Sequence, residues 1–124
     1  MLTRAYRDIR AACDKVTGYL GMLFDFSTAG QVAVNAPGFV SEMLTTCRTP
    51  GSAVSPATEN LFDISKDSVT EVACTVDREY FHSHVAKLLY LAKRCRPEIL
   101  TAVSFLSTRV NVCNIYDLEK LHHI

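Results

Sequence analysis

Ser83, Lys87, Tyr90 and Arg94 recur at i, i+4, i+7 and i+11, so a helix through them would line up a hydroxyl, two cations and an aromatic ring. That row has the chemistry to follow a sugar–phosphate backbone, whose oxygens accept hydrogen bonds and attract cations. Its plainer use is an ordinary solvated helix face, the default for surface charge. Beside it, Lys93-Arg94-Cys95-Arg96 concentrates positive charge at a sharp break before Pro97. Cations there also complement the dipole at a helix C-terminus, by about 0.3–1 kcal/mol each. Tyr19-Leu20-Gly21-Met22 is a second candidate. Glycine at a hairpin tip lets a sugar–phosphate chain approach closely, and Tyr19 can stack or hydrogen-bond. The alternative is that Tyr19, Leu20 and Met22 bury one face of a short sheet.

Other chemistry is poorly provided for. Two-metal phosphoryl transfer needs paired carboxylates flanking the reacting oxygens, and no two aspartates are adjacent anywhere in the chain. Asp25 and Asp63 stand alone and read as solvated or turn-capping. His82 and His84 are two apart, so on a helix they point to nearly opposite sides and cannot share one ion. His122 and His123, read as exposed at a helix end, have the same problem, and no cysteine has a partner at zinc-finger spacing. A nucleophile pair such as Cys74 with His82 has nothing to orient the base.

Thirteen basic residues balance thirteen acidic ones, so the whole chain has no net attraction to nucleic acid or membrane. Charge is segregated locally, however. Six cations (Arg78, Lys87, Lys93, Arg94, Arg96, Arg109) stand against Glu79 and Glu98 between 78 and 110, whereas 59–77 holds five acidic residues and only Lys66. The five cysteines, at 13, 47, 74, 95 and 113, are irregularly spaced without a C-x-x-C pair, as expected of free thiols in a reducing compartment. Arg4, Arg7, Asp8 and Arg10 interrupt the start too early for a signal peptide, and no apolar run approaches a membrane span. These features predict a soluble intracellular chain, with cytoplasm and nucleus indistinguishable.

At 124 residues the chain is one domain at most, with room for a modest core. Two amphipathic helices are predicted over Phe81 to Val110. Phe81, Val85, Leu88 and Ala92 mark the apolar face of the first, and Ile99, Val103, Leu106 and Val110 that of the second. Pro97, lacking an N–H, ends one and suits the first turn of the other, so they form a hairpin that needs a third element to cover it. Upstream, Leu2 to Ala12 is a short helix candidate. Val16 to Phe26 reads as a strand, Ser27-Thr28-Ala29-Gly30 as a turn, and Gln31 to Asn35 as the returning strand. Pro37 opens a helix to about Thr46 with Phe39, Val40, Met43 and Leu44 as its apolar side. Arg48 to Asp77 reads as a long polar loop. Asn114 caps a last helix with Asp117 at N3, and that helix reads as cut off at Ile124.

The order of these pieces resembles the C-terminal part of the reverse transcriptase of copia-type long-terminal-repeat retrotransposons. The resemblance rests on Tyr19-Leu20-Gly21-Met22, the Pro37-Gly38-Phe39-Val40 helix start and Ser55-Pro56-Ala57-Thr58. It continues through Lys87-Leu88-Leu89-Tyr90-Leu91-Ala92, Arg96-Pro97-Glu98-Ile99 and Ala102-Val103-Ser104-Phe105-Leu106-Ser107. It covers about Tyr6 to Leu121. It implies that the aromatic-Leu-Gly hairpin is similar to a primer grip and the later helices to thumb helices. It also implies that the Mg²⁺-binding aspartates and the fingers precede Met1, and that an RNase H domain follows Ile124.

The resulting expectation is an α+β fragment, a β-hairpin with flanking helices followed by a thumb-like helical bundle. Residues 1–47 would be the end of the palm with the hairpin and first thumb-like helix, 48–77 a flexible linker, and 78–124 the helical hairpin and start of the connection. The role implied is holding an RNA–DNA or DNA primer–template duplex through Tyr19, Leu20, Gly21, Met22, Lys87, Arg94 and Arg96. No catalytic or metal-binding residue and no cofactor is expected in the fragment itself, the parent enzyme using Mg²⁺. Its partners would be that duplex and the missing palm, fingers and RNase H parts, with no membrane. The alternative is a small helical protein-interaction module, or a decayed element fragment with no binding.

Overall fold

A computed structural model describes residues 14–48, 51–64 and 75–124. The helix candidate Leu2 to Ala12, Cys74 and the stretch 65–74 lie outside the described residues. The described residues are α+β, a three-stranded antiparallel sheet followed by four helices, and they divide into two compact units on either side of Pro37.

The first unit holds the sheet, ordered β1 (Val16–Tyr19), β2 (Met22–Asp25) and β3 (Ala33–Asn35). The reading of Val16 to Phe26 as one strand needs correction. Leu20 (φ 51°) and Gly21 (φ 76°) both take positive φ between the paired residues Tyr19 and Met22, the two-residue type I′ arrangement. The apolar run therefore folds back on itself. Gly30, also at φ 76°, supplies the turn expected between the later strands. The carboxylate of Asp25 accepts from the Ser27 backbone N–H at 2.8 Å, so its turn-capping role is realised. The Ser27 side chain first, and then this backbone bond, hold its carboxyl below the usual range. Register places Thr17 opposite Phe24 and Phe24 opposite Val34, one half-buried cross-strand row.

The second unit is helical: α1 (Pro37–Thr46), α2 (Thr75–Arg94), α3 (Leu100–Thr108) and α4 (Ile115–His123), with a 3-10 turn, Pro97–Ile99, between α2 and α3. Asp77 in the first turn of α2 and Lys93 and Arg94 in its last complement the dipole. The backbone N–H groups of Cys95 and Arg96 both return to the Leu91 carbonyl before Pro97 forbids another turn. Phe81, Val85, Leu91 and Ala92 of α2 meet Ile99, Ala102, Val103 and Leu106 as the core. Full burial of one such side chain contributes roughly 1.5–3 kcal/mol. The two apolar stripes are thus the inner faces of a helical hairpin, with Leu88 and Val110 half-buried at their margins.

α4 closes the bundle. Asn114 accepts from the Asp117 backbone N–H at 3.0 Å while the Asp117 carboxylate accepts from the Asn114 N–H at 3.1 Å. This reciprocal cap starts the helix at the expected residue. Asp117, almost fully buried, also meets Arg109 Nε at 3.3 Å, and Arg78 donates to the Asn111 carbonyl at 2.8 Å. The link from α3 to α4 is thereby pinned on both sides. The stretch 51–64 has turns but no helix or strand, as a loop reading requires. It is anchored all the same. Leu61 is buried, Phe62 packs edge-on against Phe105 at 5.2 Å, and Lys120 donates to the Asp63 carbonyl at 2.8 Å. No helix among the described residues is long and apolar enough to cross a membrane.

Candidate nucleic-acid interface

The hairpin tip presents what its sequence suggests. Tyr19 is 63% exposed and Leu20 60%, and Gly21 has open space around it. A backbone turned through two positive-φ residues and flanked by an exposed aromatic ring can lie against a sugar or a base. Met22 departs from the expectation. It is only 4% exposed, because it alternates to the buried side of β2, and it packs instead of meeting a ligand.

The row on α2 is arranged differently from a phosphate track. α1 lies antiparallel along it. Phe39 packs at a tilt against Tyr90 with ring centroids 5.2 Å apart, Glu42 Oε1 is 3.7 Å from Lys87 Nζ, and Thr46 Oγ1 is 3.3 Å from His84 Nε2. Residue numbers rise along one helix as they fall along the other. Phe39, Glu42, Met43 and Thr46 share one side of α1 at helical spacing, leaving Leu44, expected on the apolar side, 68% exposed. The strip drawn from Ser83, Lys87, Tyr90 and Arg94 is therefore largely the seam for α1. Lys87 and Tyr90 are half-buried in it, and Ser83 and Arg94 are exposed.

The corner after α2 keeps its charge at the surface. Lys93, Arg94 and Arg96 are all exposed. Arg94 leans over the Tyr90 ring at 5.2 Å, and Arg96 is bound to Glu98. That contact holds the Glu98 carboxyl below the usual carboxylate range. Surface pairs of this kind are worth about 0–1 kcal/mol and exchange readily for another anion.

A mixed-charge groove of about 330 Å³ lies where 51–64 meets α4, lined by Asn60, Asp63, Tyr116, Glu119, Lys120 and His123 among others. Among the described residues, no three His, Cys, Asp or Glu side chains converge to hold a metal ion. His82 is exposed and His84 buried, on opposite sides as their spacing requires. Burial pushes the Cys113 thiol up, which makes it a poor nucleophile.

The reading of His122 as exposed is overturned, because α4 packs that residue back onto α2. His122 meets the Tyr80 ring edge-on at 5.9 Å, Tyr80 lies 4.0 Å from the His84 ring, and the Arg48 guanidinium sits 4.1 Å over Tyr80. Nothing local in the sequence marks this cluster. No family model, curated protein or solved structure matches the chain.

Proposed function

We propose that the chain is the primer–template-holding part of a copia-type RNA-directed DNA polymerase, with its sheet hairpin as the primer-grip-like element and the helical unit as thumb-like. The observation carrying this reading is the tip of the β1–β2 hairpin. Tyr19 and Leu20 stand in solvent on a turn that forces Leu20 to positive φ, an arrangement a purely structural hairpin would replace with Asn-Gly. Lys93, Arg94 and Arg96 at the helix corner supply surface charge of the right sign.

Binding is then sequence-independent and weak, with a Kd of roughly 10⁻⁴–10⁻⁶ M at physiological salt for an RNA–DNA hybrid. Fluorescence anisotropy with a labelled hybrid tests it. Tyr19→Ala should weaken binding several-fold without changing the salt slope, and Arg94→Gln with Arg96→Gln should lower the slope by about two units. Equal binding by all variants, or none by the parent chain, sinks the proposal. The α1 seam favours a second reading from another class, a helical protein-interaction module. Lys87 and Tyr90 already serve contacts within the chain, which leaves fewer cations for phosphate.

A further inference from the structure

His122 Nε2 is buried and has no hydrogen-bond partner, the one side-chain nitrogen or oxygen atom so placed among the described residues. Its ring sits on Tyr80, in a cluster assembled from three separate parts of the helical unit. α2 contributes Tyr80 and His84, the end of α1 contributes Thr46 with Arg48 just beyond it, and α4 contributes His122. His84 is fully committed, with Nδ1 3.0 Å from the Tyr80 carbonyl and Nε2 3.3 Å from Thr46 Oγ1. His122 is the opposite case. Its buried nitrogen tolerates a bare lone pair, but a proton there would be an N–H with no acceptor beside the fixed positive charge of Arg48.

We propose that the seating of His122 on Tyr80 is an acid-released latch, holding the end of α4 on α2 while the imidazole is neutral and letting it go on protonation. The charged and titratable groups around it reinforce that sense. Arg48 is positive, and the Asp77 carboxylate 2.5 Å from its Nη1 offsets part of that charge. On α4 itself the neighbour one turn back is the exposed Glu119 at i−3, while Lys120 and His123 lie off that face. No carboxylate is within hydrogen-bonding reach of His122 Nε2 itself. Burial first, then Arg48 and His84, hold its pKa below the ordinary histidine value.

The sign follows directly. The released state has an ordinary pKa near 6.5 and the latched state a lower one, so release takes up a proton. The latch is at full strength above about pH 6.5 and weakens as pH falls from there towards the depressed value. Within that window the opening equilibrium should rise by up to about tenfold per pH unit. Tyr80 and the His84 ring then lose their cover.

Amide hydrogen exchange on the full chain between pH 7.5 and 5.5, corrected for intrinsic rates, reads this opening. Amides in Ile115–His123 should open progressively more below about pH 6.5, while those of Ala102 to Leu106 change less. His122→Phe keeps an aromatic ring on Tyr80 but cannot titrate, and should flatten the profile; His123→Gln should leave it as it was. A flat profile in the parent chain, an unchanged slope in His122→Phe, or loss of the slope in His123→Gln overturns the latch. Should His122→Phe fail to fold, the His122 imidazole resonance in the parent chain decides. A midpoint below about 6.5 that tracks α4 opening supports the latch, and a midpoint at or above that value refutes it.

Discussion

Lys87 Nζ lies 3.7 Å from Glu42 Oε1, joining α2 to α1 at the middle of their antiparallel seam. The pair is asymmetric. The Glu42 side chain is the more exposed of the two, so solvent screens the contact and its contribution to stability is about 0.2–1 kcal/mol. The carboxylate acts more as a competitor, occupying a cation that a phosphate would otherwise use. Glu42→Gln should cost less than about 1 kcal/mol in urea denaturation. If Lys87 faces nucleic acid, the same change should tighten hybrid binding and steepen its salt slope by about one unit. An unchanged slope assigns Lys87 wholly to the helix seam.

The hairpin core gives a contrast in stability. Leu106 is fully buried between α2 and α3, whereas Leu44 faces solvent on α1. Leu106→Ala should cost about 2–5 kcal/mol, and Leu44→Ala about 0.5 kcal/mol or less. Leu88, only half-buried, should fall between them. Equilibrium denaturation of the three variants checks the order. A Leu44 variant as damaging as Leu106 would mean that α1 presents a different face.

The cap of α4 should separate into two costs. Asn114→Ala removes one acceptor from the first turn and should destabilise by about 0.5–2 kcal/mol. Asp117→Ala removes half of the cap and also the carboxylate that faces the largely buried Arg109 guanidinium, so it should cost more than the cap alone, about 2–4 kcal/mol. Thermal unfolding, with helicity followed by circular dichroism, would rank them. Equal losses would show that the Arg109 contact adds nothing beyond the cap.

What could be read from the residues followed the range of the interactions. Asn114 and Asp117 announce their helix because both halves of the cap lie within three residues, and Pro97 stops α2 by local chemistry alone. The stripes Phe81–Ala92 and Ile99–Val110 were legible because burial repeats at the helical period. Gly21 suggested a hairpin tip within Tyr19–Met22, but the Leu20-Gly21 reversal itself was not legible because leucine is a poor marker of positive φ. Its apolar neighbours extended the strand pattern straight through the turn. Lys87 and Tyr90 read as a surface row because α1, which covers them, sits some forty residues earlier and its docking is a tertiary fact. The seating of His122 on Tyr80 has the same origin.

The Leu20-Gly21 turn supplies the most discriminating test. Leu20 at φ 51° pays a steric penalty of about 1–2 kcal/mol that asparagine largely avoids, and Asn-Gly is the preferred pair for a type I′ turn. Leu20→Asn should therefore stabilise the β1–β2 hairpin, by roughly 0.5–1 kcal/mol after exposed-surface effects. If the apolar tip exists to contact a primer–template, the same variant should bind an RNA–DNA hybrid several-fold more weakly while folding better. Stability and binding then move in opposite directions, as expected where strain is retained for function. Gly21→Ala is the complementary control. Its φ of 76° disfavours any Cβ although no atom stands in the way, so both stability and binding should fall. A Leu20→Asn chain that is more stable and binds undiminished would leave the tip as an imperfect turn, and the primer-grip-like reading would lose the observation it stands on.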